Sequence, residues 1–350
     1  MTAITNILTG VIEWIYGIIN NHGWSIVIFT LLIRFVLMPL DISSRKGMRK
    51  MAKIQPQITA LQKKYANDKA KLQQKQSELM RKEHYNPMSG CLPLLIQMPI
   101  LFAMFGAMRA VANEKIVEQV FTFLQGGQPT YEGWLWVKNL WMADSLFAPM
   151  APALGSIQTI THDVWQNVWV TLNSADQQLI IQNIARYTQD FAGALDFSTA
   201  ETLKALMPNI TSAMVQMPVY IEQTALMSGF QNGINLFLFK LDFFRNFNGL
   251  LILPVLAGLS QLLMTKINPQ AAGQQPAAPG QQAGMGNFMK YFFPLFSVYI
   301  CLTSNAAFAL YWVTSNLIAT AMSYGINIYY DRKEIQNQGQ QQQLQEGTLK

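Results

Sequence analysis

Residues Trp24 to Leu40 read WSIVIFTLLIRFVLMPL, an apolar run with a single charge, Arg34, near its middle. With its flanks the run reaches the roughly 20 residues that a helix needs to cross a bilayer. A guanidinium cannot shed its proton there, and an arginine at a helix centre costs about 2.5–3.5 kcal/mol on insertion scales. Snorkelling relieves that cost near a helix end. Arg34, however, lies seven residues from the flank at Asp41, roughly 10 Å at helical rise. A group held at such cost faces water, a partner or a substrate.

The rest of the chain has the same character. It is 51% hydrophobic and 13% charged, where soluble domains carry about 25% charged residues. The net charge of +6 says less than its distribution. Twelve of the 25 Lys and Arg residues fall between Ser43 and Tyr85, opposed only by Asp68, Glu78 and Glu83. Between Asn113 and Asn246, six basic residues face eleven acidic ones. The positive-inside rule therefore assigns Ser43–Tyr85 to the cytoplasm.

Apolar runs at about 23–42, 91–112, 248–266, 288–305 and 308–330 predict five spans. Alternation from a cytoplasmic 43–85 puts the N-terminus outside, 113–246 outside and the C-terminus inside. Lys266 and Lys290 flank the loop this assigns to the cytoplasm, and residues 1–21 contain no Lys or Arg. The expected fold class is an all-α integral membrane protein. Its first parts are an outer interfacial helix (1–21), the first span (22–42), a basic cytoplasmic helical hairpin (43–90) and the second span (91–112). An extracytoplasmic region with an inserted helical cap (113–246) leads to the third span (247–267). A disordered cytoplasmic loop (268–287), the fourth span (288–305), the fifth (306–330) and a polar cytoplasmic tail (331–350) complete the chain.

The N-terminus has no basic n-region or small-residue cleavage site, so no removable signal peptide is expected. Residues 4–19 surround a helix with apolar groups and suit the outer interface better than a sixth span. Asn20-Asn21-His22-Gly23 then reads as a turn. Cys91 and Cys301 have neither metal-ligand nor redox spacing, and His22, His84 and His162 are scattered. No metal site, cofactor or catalytic residue is read from the chain.

Residues 43–85 read as two helices joined at Ala66-Asn67-Asp68, with Asp68 suited to an N-cap. Met48, Met51, Ile54, Ile58, Leu61 and Tyr65 recur every three or four positions on the first, giving one apolar stripe. Arg45, Lys46, Arg49, Lys50 and Lys53 crowd its membrane-proximal end. Such charges set topology and touch anionic lipid heads. They also suit docking to an acidic partner such as ribosomal RNA or a targeting factor.

The second span, CLPLLIQMPILFAMFGAMRAV, carries Gln97, which reads first as a helix-packing hydrogen bonder. The third contains Ser260 and Gln261, and the last two carry Thr303, Trp312 and Asn316. No acidic residue is expected at mid-membrane depth, so the sequence offers no intramembrane carboxylate of the kind that a paired structural charge or a proton-coupled transporter normally needs. The stretch NPQAAGQQPAAPGQQAGMGN at 268–287 has the composition of a linker.

Three stretches carry a resemblance. They are RFVLMPLDISSRKGMRKMAKIQPQITALQKKY at 34–65, NPMSGCLPLLIQMPI at 86–100 and LYWVTSN at 310–316, supported by the FLWVKNL-like stretch around 134–141. In this order, joined by a basic hairpin, they resemble the YidC-type membrane protein insertases, over roughly two thirds of the chain. The resemblance implies a five-span core enclosing a hydrophilic groove that opens to cytoplasm and lipid. It places Arg34 in that groove as a lure for acidic or polar substrate segments. Trp312 and Gln261 would line the groove, with Gln97 as a further candidate. The implied location is the bacterial plasma (inner) membrane. The implied partners are nascent membrane proteins, with the ribosome, a targeting factor, a Sec-type translocon and anionic lipids as further candidates.

The sequence departs from the family pattern in three places. Asn305-Ala306-Ala307 replaces the usual residues before the fifth span, and the tail lacks a basic run. The insertion at about 145–246 follows the second span rather than the first. Within it, 163–188 and 199–231 read as amphipathic helices, expected to form a small cap. Function then reads as ATP-independent membrane protein insertion, with no enzyme activity. A channel or small-solute transporter is the main rival, but rings of polar residues and inverted repeats are not found. An intramembrane protease lacks its nucleophile and base. A scaffold that assembles other membrane proteins could use the same groove.

Overall fold

The computed structural model describes residues 2–85, 88–236, 239–267 and 284–348. Most of the expected 268–287 loop therefore lies outside the described residues. The fold is mainly helical. In chain order the helices are α1 (Thr2–Ile19), α2 (His22–Lys64), α3 (Lys69–Lys82), α4 (Met88–Leu124) and α5 (Leu154–Ile157). Then come α6 (His162–Thr171), α7 (Ser174–Tyr187), α8 (Ala200–Met214) and α9 (Pro218–Gln223). After a short hairpin, α10 (Ile252–Ile267), α11 (Gly284–Thr303) and α12 (Ala306–Thr348) complete the chain.

Several elements differ from the sequence expectation. The first span and the first hairpin helix are one continuous helix, α2, which runs through Pro39 and Pro56. The 163–188 region is two helices, because Asn173 leaves helical geometry and its side chain caps α7 by accepting from Asp176 N at 2.9 Å. The 199–231 region ends as helix at Gln223 and is split at 215–217. A two-stranded antiparallel hairpin, β1 (Ile234–Leu236) with β2 (Phe239–Leu241), qualifies the all-α expectation. Among the described residues, α2 alone is long and apolar enough to cross a membrane by length and composition.

The chain forms two compact units. The first comprises Met1–Phe29, Leu101–Val255 and Tyr299–Tyr311. One apolar core gathers the second half of α4 with α6, α7, α8 and α9 around the fully buried Trp165. Trp165 stacks on Phe197 at 5.6 Å and meets Phe121 edge-on at 5.5 Å, a geometry that adds to simple area burial. Thr199 and Thr202 form a reciprocal capping box at the start of α8. Asn183 Nδ2 donates to Leu124 O at 2.7 Å, satisfying a carbonyl that the end of α4 leaves without a helical partner.

Below this core in the chain order, two buried asparagines join distant segments of the same unit. Asn139 N donates to Asn248 Oδ1 at 2.7 Å, and Asn248 Nδ2 returns a bond to Asn139 O at 2.8 Å. The buried Asp144 carboxylate accepts from Leu253 N at 2.7 Å and Leu251 N at 3.2 Å, so it caps α10.

The second unit comprises Thr30–Ile100, Leu256–Val298 and Trp312–Lys350. Its helical hairpin packs Ile54 and Ile58 of α2 with Tyr85, Met51, Leu79 and Met80. Asp68 caps α3, accepting from Lys71 N at 2.9 Å. On α3, the hydrogen bond between Lys75 and Glu78 raises the lysine and lowers the carboxyl from their ordinary values.

Candidate functional site

Position 34 projects from α2 towards α12, which places polar groups on one face at helical spacing. Arg34 Nε donates to Ser315 Oγ at 3.1 Å, and Nη2 donates to the same oxygen. Three helical turns further along α2, Arg45 Nη2 donates to Ser323 Oγ. One turn beyond, Arg49 Nη2 donates to Asn327 O at 3.1 Å and pairs with the Asp331 carboxylate. The Arg49 guanidinium also lies 5.3 Å from the Tyr330 ring centroid. Positions 315, 323, 327 and 331 differ by multiples of four, which keeps them on one stripe of α12.

A third helix joins at the same level. Asn316 Nδ2, next to Ser315, donates to Ser260 Oγ and to Gln261 Oε1, each at 3.3 Å. Through Ser315 and Asn316 the structure thus brings Arg34 and Gln261 to neighbouring positions of α12. Trp312, one turn earlier, is half-buried. The side chain of Gln97 lies outside the described residues.

The interior around these groups is polar. Among the described residues of the second unit, buried polar side chains outnumber buried apolar ones. They include Thr30, Ser260, Ser297, Ser315, Thr320 and Ser323. The outer faces are the reverse: Phe35, Leu259, Leu295, Phe296 and Leu317 are exposed, and Val36 is 74% exposed. Hydroxyls on α10 and α11 return bonds to their own helix, as Thr265 does to Gln261 O at 2.8 Å and Ser297 to Phe293 O at 2.8 Å.

The basic cluster expected to dock a partner divides. Arg45 is only 8% exposed and faces Ser323 rather than solvent. Arg49 is engaged by α12, and Lys50 Nζ donates to His84 O at 2.9 Å. Lys46 and Lys53 are exposed. Sequence reasoning did not find Ser315, Ser323 and Asp331 as partners of these arginines. Their four-residue spacing was the available signal. It gave His22 no role beyond a turn, whereas the ring is buried and holds Glu132 at 2.6 Å through Nδ1 and Glu13 at 3.3 Å through Nε2. Tyr16 stacks on it at 3.8 Å.

The model of the 60Kd inner membrane protein family matches residues 14–239 and 206–334. The chain belongs to this family. Among curated relatives, the membrane protein insertase YidC of Clostridium perfringens is 40% identical over 165 residues, 45% of this chain and 62% of the relative. That of Chlorobium limicola is 35% identical over 180 residues, 49% of this chain and 28% of the relative. That of Fusobacterium nucleatum is 48% identical over 92 residues, 26% of this chain and 45% of the relative. Each match covers less than two thirds of the relative's own length. Membership in the family makes the chain a membrane protein and agrees with its mainly helical fold. It also bears out the resemblance drawn from the arginine span, the hairpin and the LYW stretch.

Proposed function

We propose that this chain inserts membrane proteins into the lipid bilayer without ATP, using a hydrophilic groove that contains Arg34. The observation that carries this reading is the reversed character of the second unit, polar within and apolar without. Water outside would favour the opposite arrangement, whereas lipid tolerates apolar faces and penalises unsatisfied polar ones. Ser315 Oγ holds the Arg34 guanidinium towards α12, beside Asn316 and Gln261, where an arriving acidic or polar segment would meet it. Gln261, Asn316, Ser315 and Trp312 line the proposed groove, with Gln97 a further candidate.

In this proposal α2, α4, α10, α11 and α12 supply five spans, with the N-terminus outside and the C-terminus in the cytoplasm of a bacterial inner membrane. A nascent chain's polar segment enters the groove and crosses less hydrocarbon. Its apolar segment then moves into lipid, gaining about 0.8 kcal/mol per buried CH₂. The exposed Lys46 and Lys53 face anionic lipids, the ribosome or a targeting factor. A Sec-type translocon is a candidate neighbour.

The test is insertion of single-span substrates with acidic outer tails by R34A and R34K variants. A hydrogen bond to a charged group is worth about 1.5–3 kcal/mol, so R34A is expected to slow insertion roughly tenfold or more. R34K is expected to restore most of it. Equal rates for wild type and R34A across all substrates would remove the lure from the account.

A further inference from the structure

A tight turn in the first unit presents one leucine in a way the fold does not need. Trp134 N donates to Val137 O and Val137 N to Trp134 O, each at 2.9 Å, which closes a two-residue connection. Leu135 at its tip has φ +50°, a left-handed conformation that disfavours a branched side chain. Its side chain is 67% exposed. Glycine would fit this backbone without strain, so neither local geometry nor packing accounts for a leucine here.

The base of the turn is fixed firmly. Glu132, one residue before Gly133, accepts from both the backbone N and the ring Nδ1 of the buried His22. Asn21 Nδ2 donates to Gly133 O at 3.3 Å. The Trp134 indole lies against bare backbone at Gly23, where an added Cβ would come within 2.2 Å of Cδ1. Trp134 also meets Trp24 edge-on at 5.6 Å and Trp136 at 5.7 Å. Trp136 Nε1 donates to Asp144 Oδ2 at 3.1 Å. Strained residues persist where their surroundings over-determine them, and such sites are commonly functional.

We propose that the Trp134–Trp136 turn is a membrane-seated finger that places Leu135 among lipid acyl chains at the α1 end of α2. Two observations choose lipid as the occupant. Three indoles cluster at the base, with Trp24 exposed, and tryptophan is enriched at the bilayer interface. The finger also continues an apolar surface on the first turns of α2, where Trp24 and Ile28 are exposed. The exposed Lys138, three residues beyond the tip, suits a lipid phosphate. The fastened base makes this a fixed depth marker at the start of α2. The inference rests on the topology proposed above only for which leaflet is meant.

The test uses the full chain carrying L135C with C91A and C301A, labelled with a nitrobenzoxadiazole dye. It is reconstituted in phosphatidylethanolamine–phosphatidylglycerol vesicles. The expected result is blue-shifted emission, strong quenching by a nitroxide placed shallow on the acyl chain, and little quenching by aqueous iodide. Iodide quenching with no nitroxide effect would overturn the proposal. So would shielding that disappears as the protein is diluted in lipid, which would point to a second copy as the occupant. A second variant, L135G, is expected to leave the melting temperature in detergent unchanged or raised. A clear fall would assign Leu135 to fold stability and overturn the finger. Dithionite, which does not cross the bilayer, reports the leaflet separately. A buried probe in the opposite leaflet would contradict the topology while leaving the finger intact.

Discussion

The insertion core of the first unit and the interior of the second obey opposite rules. Around Trp165 the buried side chains are apolar, and polar groups such as Asn183 appear where a helix end needs a partner. Around Arg34 the buried side chains are mostly hydroxyls and amides, while leucines, phenylalanines and valines face outward. The first pattern is that of a domain folded by the hydrophobic effect in water. The second is stable where the surroundings are themselves apolar and the interior must satisfy its own polar groups. One chain thus contains an apolar-cored region and a polar-cored one, which the proposed function assigns to water and to lipid.

The sharpest break of this contrast is expected at Trp165. Large-to-small substitution of a buried aromatic costs about 3–5 kcal/mol, so W165A should unfold the insertion locally. Limited proteolysis is expected to cut within 150–230 while leaving the α2–α3 hairpin intact. Simultaneous loss of both would show that the two regions are not separate in stability. The Arg34 substitutions come next, since they act on rate and not on folding.

A smaller effect is expected at Tyr220, whose hydroxyl donates to Pro152 O at 3.0 Å. Burial pushes this phenol up to about 12, and burial raises Tyr131 in the same direction. A raised folded value means the neutral phenol is favoured in the fold. Its contribution is therefore complete below an unfolded value of about 10 and is lost as pH rises through about 12. Y220F should cost roughly 1 kcal/mol at neutral pH. It should also flatten the alkaline limb of a melting-temperature profile between about pH 10 and 12. An unchanged alkaline limb would place that titration elsewhere.

The smallest effect concerns Arg49 and Asp331, where the carboxylate is exposed. Exposed pairs are worth about 0–1 kcal/mol and weaken with salt. D331N is expected to lower stability by less than about 1 kcal/mol in low salt, with no difference at high ionic strength. A larger, salt-insensitive loss would mean that the polar interior extends to this level of α12.

How much was legible follows from sequence distance. Arg34 stood out because a lone charge in an apolar run carries its own cost. Asp68 was legible as a cap because its partner, Lys71 N, is three residues away. Ser315 was not, because its partner is 281 residues distant and hydroxyls are unremarkable in apolar helices. The tie between His22 and Glu132 was not legible because the two are 110 residues apart. The break at Asn173 was missed because apolar periodicity continues across it, although asparagine is a strong capping residue. The short β1–β2 hairpin was missed because its apolar run also fits a helix, an ambiguity that length alone resolves.

The central claim is that the polar interior beside Arg34 receives a substrate. The most direct measurement places a photoreactive amino acid at position 261 and, for comparison, at position 165. Ribosome-bound nascent chains of a single-span substrate are then irradiated with each variant. The account predicts adducts to the nascent chain from position 261 and none from position 165. Adducts absent from position 261 while insertion proceeds normally would contradict it.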